Sequence, residues 1–86
     1  MFDLKFSNKS AKFIKRLNNK DKERVKVKIN DLCSNPFPHD CVRVERHKNH
    51  KVFRVRVGKF RILYEVYNEE NLIVIINVDN RGRVYK

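Results

Sequence analysis

The chain has 86 residues, a length that suits one small domain with a single core. Its hydrophobic content of 41%, with six Phe and three Tyr, excludes wholesale disorder, and no apolar run is long enough to cross a membrane. The balance of 21 Lys and Arg against 10 Asp and Glu gives a formal charge of +11, which favours a phosphate backbone, an acidic membrane or an acidic protein as partner.

The N-terminal part of the chain predicts one short strand and two helices. Apolar residues alternate with polar ones over residues 2–6, the period of a strand. Ser7 is a good N-cap for a helix over residues 8–17. A second helix, over residues 20–34, ends before Pro36 because proline disfavours helical backbone at the residue preceding it. Its apolar positions repeat at helical spacing: Val25, Ile29, Leu32 and Cys33.

The middle of the chain, residues 51–67, predicts a β-hairpin. Gly58-Lys59 fits a two-residue type II′ turn, in which the glycine supplies the positive φ. Such a turn fixes the register, so that Val57 pairs with Phe60. One face of the hairpin is then apolar and is expected to join the core: Phe53, Val55, Val57, Phe60, Ile62 and Tyr64.

The other face of the hairpin carries a cluster of arginines, Arg54, Arg56 and Arg61. Arg56 and Arg61 lie directly opposite each other in the predicted register, and like charges in that position destabilise a sheet. A sequence that accepts this cost is expected to present the cluster to an anionic ligand. A solubilising outer face is the simpler alternative.

Further strands flank the hairpin. Residues 42–46 predict a strand that a polar turn over residues 47–50 joins to the hairpin. After a turn at residues 68–71, residues 72–78 are apolar on both faces, which indicates an interior strand. If this strand is antiparallel to the second hairpin strand, its end at Val78 lies near Arg61. The basic tail that follows is then close to the arginine cluster.

The cysteines and histidines form no metal-binding motif. Cys33 and Cys41 are too few for a disulfide scaffold, so we expect reduced thiols and a cytoplasmic protein, although one bridge between them is compatible with the sequence. His39, His47 and His50 have no standard zinc spacing and are expected to be ordinary surface residues.

Two segments, FRVRVGKFRILYEV and VIINVDNRGRVYK, resemble the RelE/ParE toxin superfamily, and the likeness covers essentially the full chain. It implies one α+β domain over residues 1–86: a small curved, mostly antiparallel sheet with two N-terminal helices packed on it, in the order β-α-α-β-β-β-β. RelE-like members are ribosome-dependent endoribonucleases that cut mRNA in the ribosomal A site, and a cognate acidic, RelB-like antitoxin neutralises them. ParE-like members share the fold but act on DNA gyrase, so a non-catalytic toxin or a basic nucleic-acid-binding module is the alternative.

The resemblance also implies a site and a chemistry. The ribose 2′-OH attacks the adjacent phosphate, leaving a 2′,3′-cyclic phosphate, and no metal or cofactor is needed because the substrate carries its own nucleophile. Arg54 and Arg56 match basic strand residues that are often lysines in relatives. We expect catalytic roles for Arg56, Arg61, Arg81 and Tyr85 and substrate binding by Arg54, Lys59 and Arg83.

The general base is the weakest part of this implied site. Asn80 stands where several relatives have a histidine, and arginine stays protonated in proteins. Tyr85 is therefore the expected proton acceptor, since nearby positive charge would lower the pKa of its phenol. The alternative is that Tyr85 anchors the C-terminus, and its spacing from Arg81 is shorter than in some RelE enzymes.

Overall fold

The computed structural model describes residues 1–47 and 50–80, with residues 45–47, 50 and 51 described by their backbone. Outside the described residues lie positions 48–49 of the turn predicted over residues 47–50 and the tail with Arg81, Arg83 and Tyr85. The elements follow the predicted order: β1 (Asp3–Phe6), α1 (Asn8–Lys15), α2 (Asn19–Ser34), β2 (Val42–His47), β3 (His50–Val57), β4 (Phe60–Tyr67) and β5 (Leu72–Asn80).

The strands form one five-stranded sheet in the order β1-β5-β4-β3-β2. β1 is parallel to β5, and the other neighbouring pairs are antiparallel. β5 therefore lies between two strands, as its apolar residues on both faces predicted. The α+β fold with a mostly antiparallel sheet and two N-terminal helices is confirmed.

The hairpin of β3 and β4 has the predicted register, with Val57 opposite Phe60 and Arg56 opposite Arg61. Gly58 has a φ of 59°, as the first position of a type II′ turn requires. A Cβ at this position would lie 2.9 Å from Nη2 of Arg24, which reaches the turn from α2. The positive φ is therefore the reason for glycine at this position, since the flexible end of the Arg24 side chain could move away from a Cβ.

Both helices begin at the side-chain caps that the sequence supplies. Ser7 accepts a hydrogen bond from the backbone N–H of Ser10 at 3.0 Å, and Asn18 accepts one from Asp21 at 2.8 Å. α1 ends at Lys15, two residues before the predicted end, and Asn35 closes α2. Within the described residues, no helix has the length and apolarity that a membrane span requires.

The core lies between the helices and one face of the sheet. The predicted apolar stripe of α2 is buried, and Ile14 of α1 joins it. Four of the six predicted hairpin residues are buried, and Phe53 and Val57 pack partly against them. The Tyr64 hydroxyl donates to the Pro36 carbonyl at 2.7 Å, which satisfies the polar end of a fully buried ring.

A β-bulge interrupts the pairing of β4 with β5. Leu63 pairs with Asn77 and Tyr64 with Ile75, so Ile76 is the extra residue. The hydroxyl of Ser7 donates to the Ile76 carbonyl at 2.7 Å, and that of Ser10 reaches the Ile75 carbonyl at 3.1 Å. The start of α1 thus holds the bulge in place.

Candidate functional site

The arginine cluster lies on the sheet face opposite the helices, as predicted. Arg61 is on the central strand β4, with Arg56 opposite it on β3 and Asp79 opposite it on β5. We call these three residues the arginine rung. Arg54 shares their face two residues further along β3, opposite Leu63. The structure therefore brings together the three hairpin arginines that sequence reasoning selected, and it adds a carboxylate.

The three arginines differ in exposure, whereas the sequence suggested one uniformly presented cluster. Arg61 is only 8% exposed, Arg54 is half-buried, and Arg56 is exposed. Arg61 is buried because strands flank it on both sides, and Nε of Arg54 is buried without a hydrogen bond within the described residues. A cation screened from water interacts more strongly with an incoming anion than an exposed one does.

Asp79 is the residue at this site that sequence reasoning missed. Its Oδ1 lies 3.5 Å from Nε of Arg61, and its Oδ2 accepts a hydrogen bond from Nδ2 of Asn77 at 3.2 Å. Continuing the pairing of Tyr67 with Leu72 along the strands without a bulge would place Val78 opposite Arg61. Only the bulge moves Asp79 onto the rung, and the sequence pattern carried no signal for it.

Lys59 lies at the tip of the hairpin, beside the rung. Its side chain is exposed, and its Nζ is 5.6 Å from the centre of the Phe60 ring. Phe60 belongs to the core, so this contact lies on the helix side of the hairpin and not on the arginine face, where a substrate contact was predicted. That role stays a prediction.

The chain has three tyrosines, and the surroundings of two of them raise the pKa of the phenol. Burial raises the pKa of the Tyr64 phenol far above its usual range. Burial and the 2.7 Å hydrogen bond to Glu65 raise the pKa of Tyr67 to about 12. Neither phenol can act as a base near neutral pH, whereas Tyr85 lies outside the described residues.

A groove of about 390 Å³ runs between α1 and the second half of β5. Three cations spaced along one side of α1 line it: Lys9, Lys12 and Arg16. Asn77 and Asp79 line the opposite wall. We call it the α1–β5 groove. It connects the basic side of α1 with the end of the arginine rung.

Similarity to a known protein family agrees with the fold. The sequence profile of the ParE toxin of type II toxin–antitoxin systems matches residues 4–85. The chain belongs to the RelE/ParE toxin superfamily. The candidate toxin RelE1 of Methanocaldococcus jannaschii is 31% identical to this toxin over 86 residues, which cover 99% of this chain and 96% of that protein.

Solved structures share the architecture of the toxin. The archaeal RelE–RelB complex from Pyrococcus horikoshii OT3 contains a chain that superposes with a TM-score of 0.84 at 23% identity, covering 96% of this chain and 98% of that one. The isolated RelE toxin of E. coli superposes with a TM-score of 0.74 at 19% identity, covering 93% and 84% of the two chains. At these identities the likeness establishes the fold.

The remaining predicted site residues follow the end of β5 directly. Asn80, the last residue of β5, pairs with Phe60 beside the hairpin turn, one residue beyond the Arg61–Asp79 pair. Arg81, Arg83 and Tyr85 lie beyond this point and outside the described residues. Their assignment to the site stays a prediction.

Proposed function

We propose that this toxin is a ribosome-dependent endoribonuclease that cleaves mRNA in the A site. The observation that carries the proposal is the buried Arg61, which has Arg56 beside it and Arg54 on the same face. Together these arginines carry three positive charges against the single negative charge of Asp79, so an incoming anion is attracted to this part of the sheet. The scissile phosphate of an RNA strand is an anion of the required charge.

The proposed reaction is attack of the ribose 2′-OH on the adjacent phosphate, with release of a 5′-OH and formation of a 2′,3′-cyclic phosphate. Negative charge accumulates on the phosphate oxygens in the transition state, and guanidinium groups stabilise it through paired donors. We assign this task to Arg61 and Arg81, with Arg56 beside them. The bound substrate supplies the nucleophile, so the reaction needs no metal or cofactor.

Proton transfer is assigned to Tyr85. A base must accept the 2′-OH proton, and the departing 5′ oxygen takes up a proton from water. The described tyrosines are held in the neutral, protonated form by burial and by Glu65. Arginine cannot accept the proton because it remains charged. Tyr85 follows β5 closely enough to be a candidate, and the surrounding cations would favour its phenolate.

The rest of the RNA would be bound by the basic surfaces around the site. Arg54, Arg83 and Lys59 are assigned to neighbouring phosphates. The α1–β5 groove leads from the rung to the cations of α1, and its charge suits the backbone of mRNA or ribosomal RNA. The net charge of +11 would accelerate association with the ribosome.

We also propose that a cognate acidic, RelB-like antitoxin binds and neutralises the toxin in the cytoplasm. The solved relatives from Pyrococcus horikoshii and Mycobacterium tuberculosis are toxin–antitoxin complexes, RelE–RelB and RelBE2. An acidic partner would be attracted electrostatically to this basic chain. Co-expression should restore growth and yield a complex that survives purification.

A second candidate is a ParE-like toxin that inhibits DNA gyrase without cleaving RNA. The matching family profile is that of the ParE toxin, which favours this alternative. The arginines at positions 54 and 56 favour it too, because arginine cannot be the base that a lysine of lowered pKa could be. Both candidates use the same basic face.

Mapping of mRNA ends in cells after induction of the toxin separates these functions. The endoribonuclease should produce new 5′ ends at a fixed phase within codons, and these ends should disappear when Arg61→Ala replaces the wild type. Breaks in DNA together with unphased mRNA ends would instead establish the gyrase function and overturn the proposal.

A further inference from the structure

The β-bulge at Ile76 decides which side chain faces Arg61. On the side of the bulge toward the turn, Tyr67 pairs with Leu72, and the register there would bring Val78 opposite Arg61. Beyond the bulge the pairing is shifted by one residue, so Val78 enters the core and Asp79 faces Arg61. Bulges are common beside active sites, where they redirect a side chain.

Hydrogen bonds from the start of α1 stabilise the bulge. The Ser7 hydroxyl donates to the carbonyl of Ile76, and the buried Ser10 hydroxyl reaches the carbonyl of Ile75. The backbone N–H of Ser7 also donates to Ile75 at 3.0 Å. The N-terminus of α1 thus fixes the backbone that carries Asn77 and Asp79.

Asp79 is held where it acts on one particular atom of Arg61. Asn77 donates to Oδ2 at 3.2 Å, and Oδ1 is buried, makes no hydrogen bond within the described residues and lies 3.5 Å from Nε of Arg61. The carboxylate 3.5 Å from Nε attracts that edge of the guanidinium as an ion pair. The opposite edge of the group, formed by Nη1 and Nη2, is the fork that binds a phosphate through two donors.

We infer that Asp79, held by Asn77 and by the Ile76 bulge, is a positioning residue that orients Arg61 toward the scissile phosphate. The inference rests on the proposed function, because it gives Asp79 its role through the phosphate contact of Arg61. The expected result of removing Asp79 is counterintuitive. Removing a negative charge next to the RNA site should slow the reaction.

The competing explanation is that Asp79 only offsets the repulsion between Arg56 and Arg61. In that case Asp79→Asn would raise the positive potential of the site, and cleavage would stay the same or become faster. The positioning role predicts the opposite sign. Misplacing a catalytic group by about an ångström is enough to lower a rate about a hundredfold.

The experiment is single-turnover cleavage of mRNA on programmed ribosomes, measured as a function of ribosome concentration. Asp79→Asn should lower the saturating rate about ten- to a hundredfold and leave the half-saturating concentration nearly unchanged. Asp40→Asn is the matched control, because it makes the same charge change at an exposed carboxylate whose partner is Lys28 on α2. It should cleave like the wild type.

A double-mutant cycle separates positioning from a general effect on the fold. In an Arg61→Ala background, Asp79→Asn should cause no further loss, because the residue acts only through Arg61. Asp79→Glu keeps the charge and should give a rate between those of the wild type and Asp79→Asn. If Asp79→Asn does not fold, Asp79→Glu replaces it as the test variant. A wild-type cleavage rate for folded Asp79→Glu would in that case contradict the inference.

A readout without cleavage keeps the inference distinct from the proposed function. The NMR signal of the Arg61 Nε–Hε group, identified by its loss in Arg61→Ala, should shift in Asp79→Asn and not in Asp40→Asn. If wild-type toxin fails to cleave, the proposed function fails and this signal alone decides on the pairing. Unchanged or faster cleavage by Asp79→Asn, or an unmoved Nε signal, overturns the inference.

Discussion

At the scale of single residues, burial sets what each charged or phenolic side chain can do. Arg61 and Arg56 face each other in the sheet, but Arg61 is only 8% exposed whereas Arg56 is an exposed residue. We expect the buried guanidinium to make a defined phosphate contact. The exposed one suits a looser contact with the RNA backbone.

The assignment of the general base predicts different outcomes for two tyrosines. Tyr85→Phe removes only a hydroxyl and should lower the single-turnover rate about a hundredfold, the usual contribution of a positioned proton acceptor. Tyr67→Phe is the matched control, because its hydroxyl is occupied by Glu65 at 2.7 Å. It should cleave normally. Equal rates for both variants would exclude Tyr85 as the base and leave it as an anchor of the C-terminus.

The raised pKa of Tyr67 predicts how the toxin responds to alkali. The pKa is about 12 in the folded protein against 10.0 normally, so folding favours the neutral phenol. This contribution to stability is present below pH 10 and is lost as the pH rises through about 12. Chemical denaturation should show a smaller alkaline loss of stability for Tyr67→Phe than for the wild type. An equal loss in the two proteins would contradict the account.

At the scale of elements, the junction of α1 with β5 links helix capping to the arginine rung. Ser7 caps the helix through its hydroxyl oxygen and donates the same hydroxyl to the bulge at Ile76. A single side chain therefore stabilises the helix and the register that presents Asp79.

This double role predicts an unequal cost for two cap deletions. Ser7→Ala should lower the free energy of unfolding by about 2 kcal/mol, since it loses the cap and a partly buried hydrogen bond. Asn18→Ala, at the exposed cap of α2, should cost about 1 kcal/mol. Urea denaturation measures both. A smaller cost for Ser7→Ala than for Asn18→Ala would show that the contact with Ile76 adds no stability.

The two edges of β4 show which parts of the fold the sequence could predict. The β3–β4 register followed from the two-residue turn at Gly58-Lys59 and from strict alternation, and it is confirmed. The β4–β5 register could not be derived, because residues 72–78 are apolar on both faces and hide the bulge. Asp79 was missed for that reason. The burial of Arg61 was missed as well. The alternation of apolar and polar residues predicts the face of the sheet on which a side chain lies, but it does not predict how far neighbouring side chains cover it.

At the scale of the whole molecule, two neighbouring basic grooves within the described residues differ in their relation to the site. Lys9 and Arg16 line the α1–β5 groove, which reaches Asp79. Lys22 and Lys26 line a second groove, of about 310 Å³, between α1 and α2. Only the first is continuous with the arginine rung.

This difference predicts the salt dependence of ribosome binding. Lys9→Ala with Arg16→Ala should reduce the slope of log affinity against log salt by about 0.7 to 0.9 for each charge removed. Lys22→Ala with Lys26→Ala changes the net charge equally and should leave the slope nearly unchanged. Binding measured across a series of salt concentrations compares the two double variants. Equal slopes for both would show that the α1–β5 groove is not the path of the RNA.

The central claim is that Arg61 stabilises the charge that develops on a phosphate during RNA cleavage. Single-turnover cleavage on programmed ribosomes tests it, with circular dichroism to confirm that each variant is folded. Arg43→Ala is the matched control, because Arg43 is an exposed arginine of β2 paired with Phe53, away from the arginine rung. We predict that Arg61→Ala loses at least about a hundredfold in rate and that Arg43→Ala cleaves like the wild type. Wild-type cleavage by folded Arg61→Ala would contradict the proposed site.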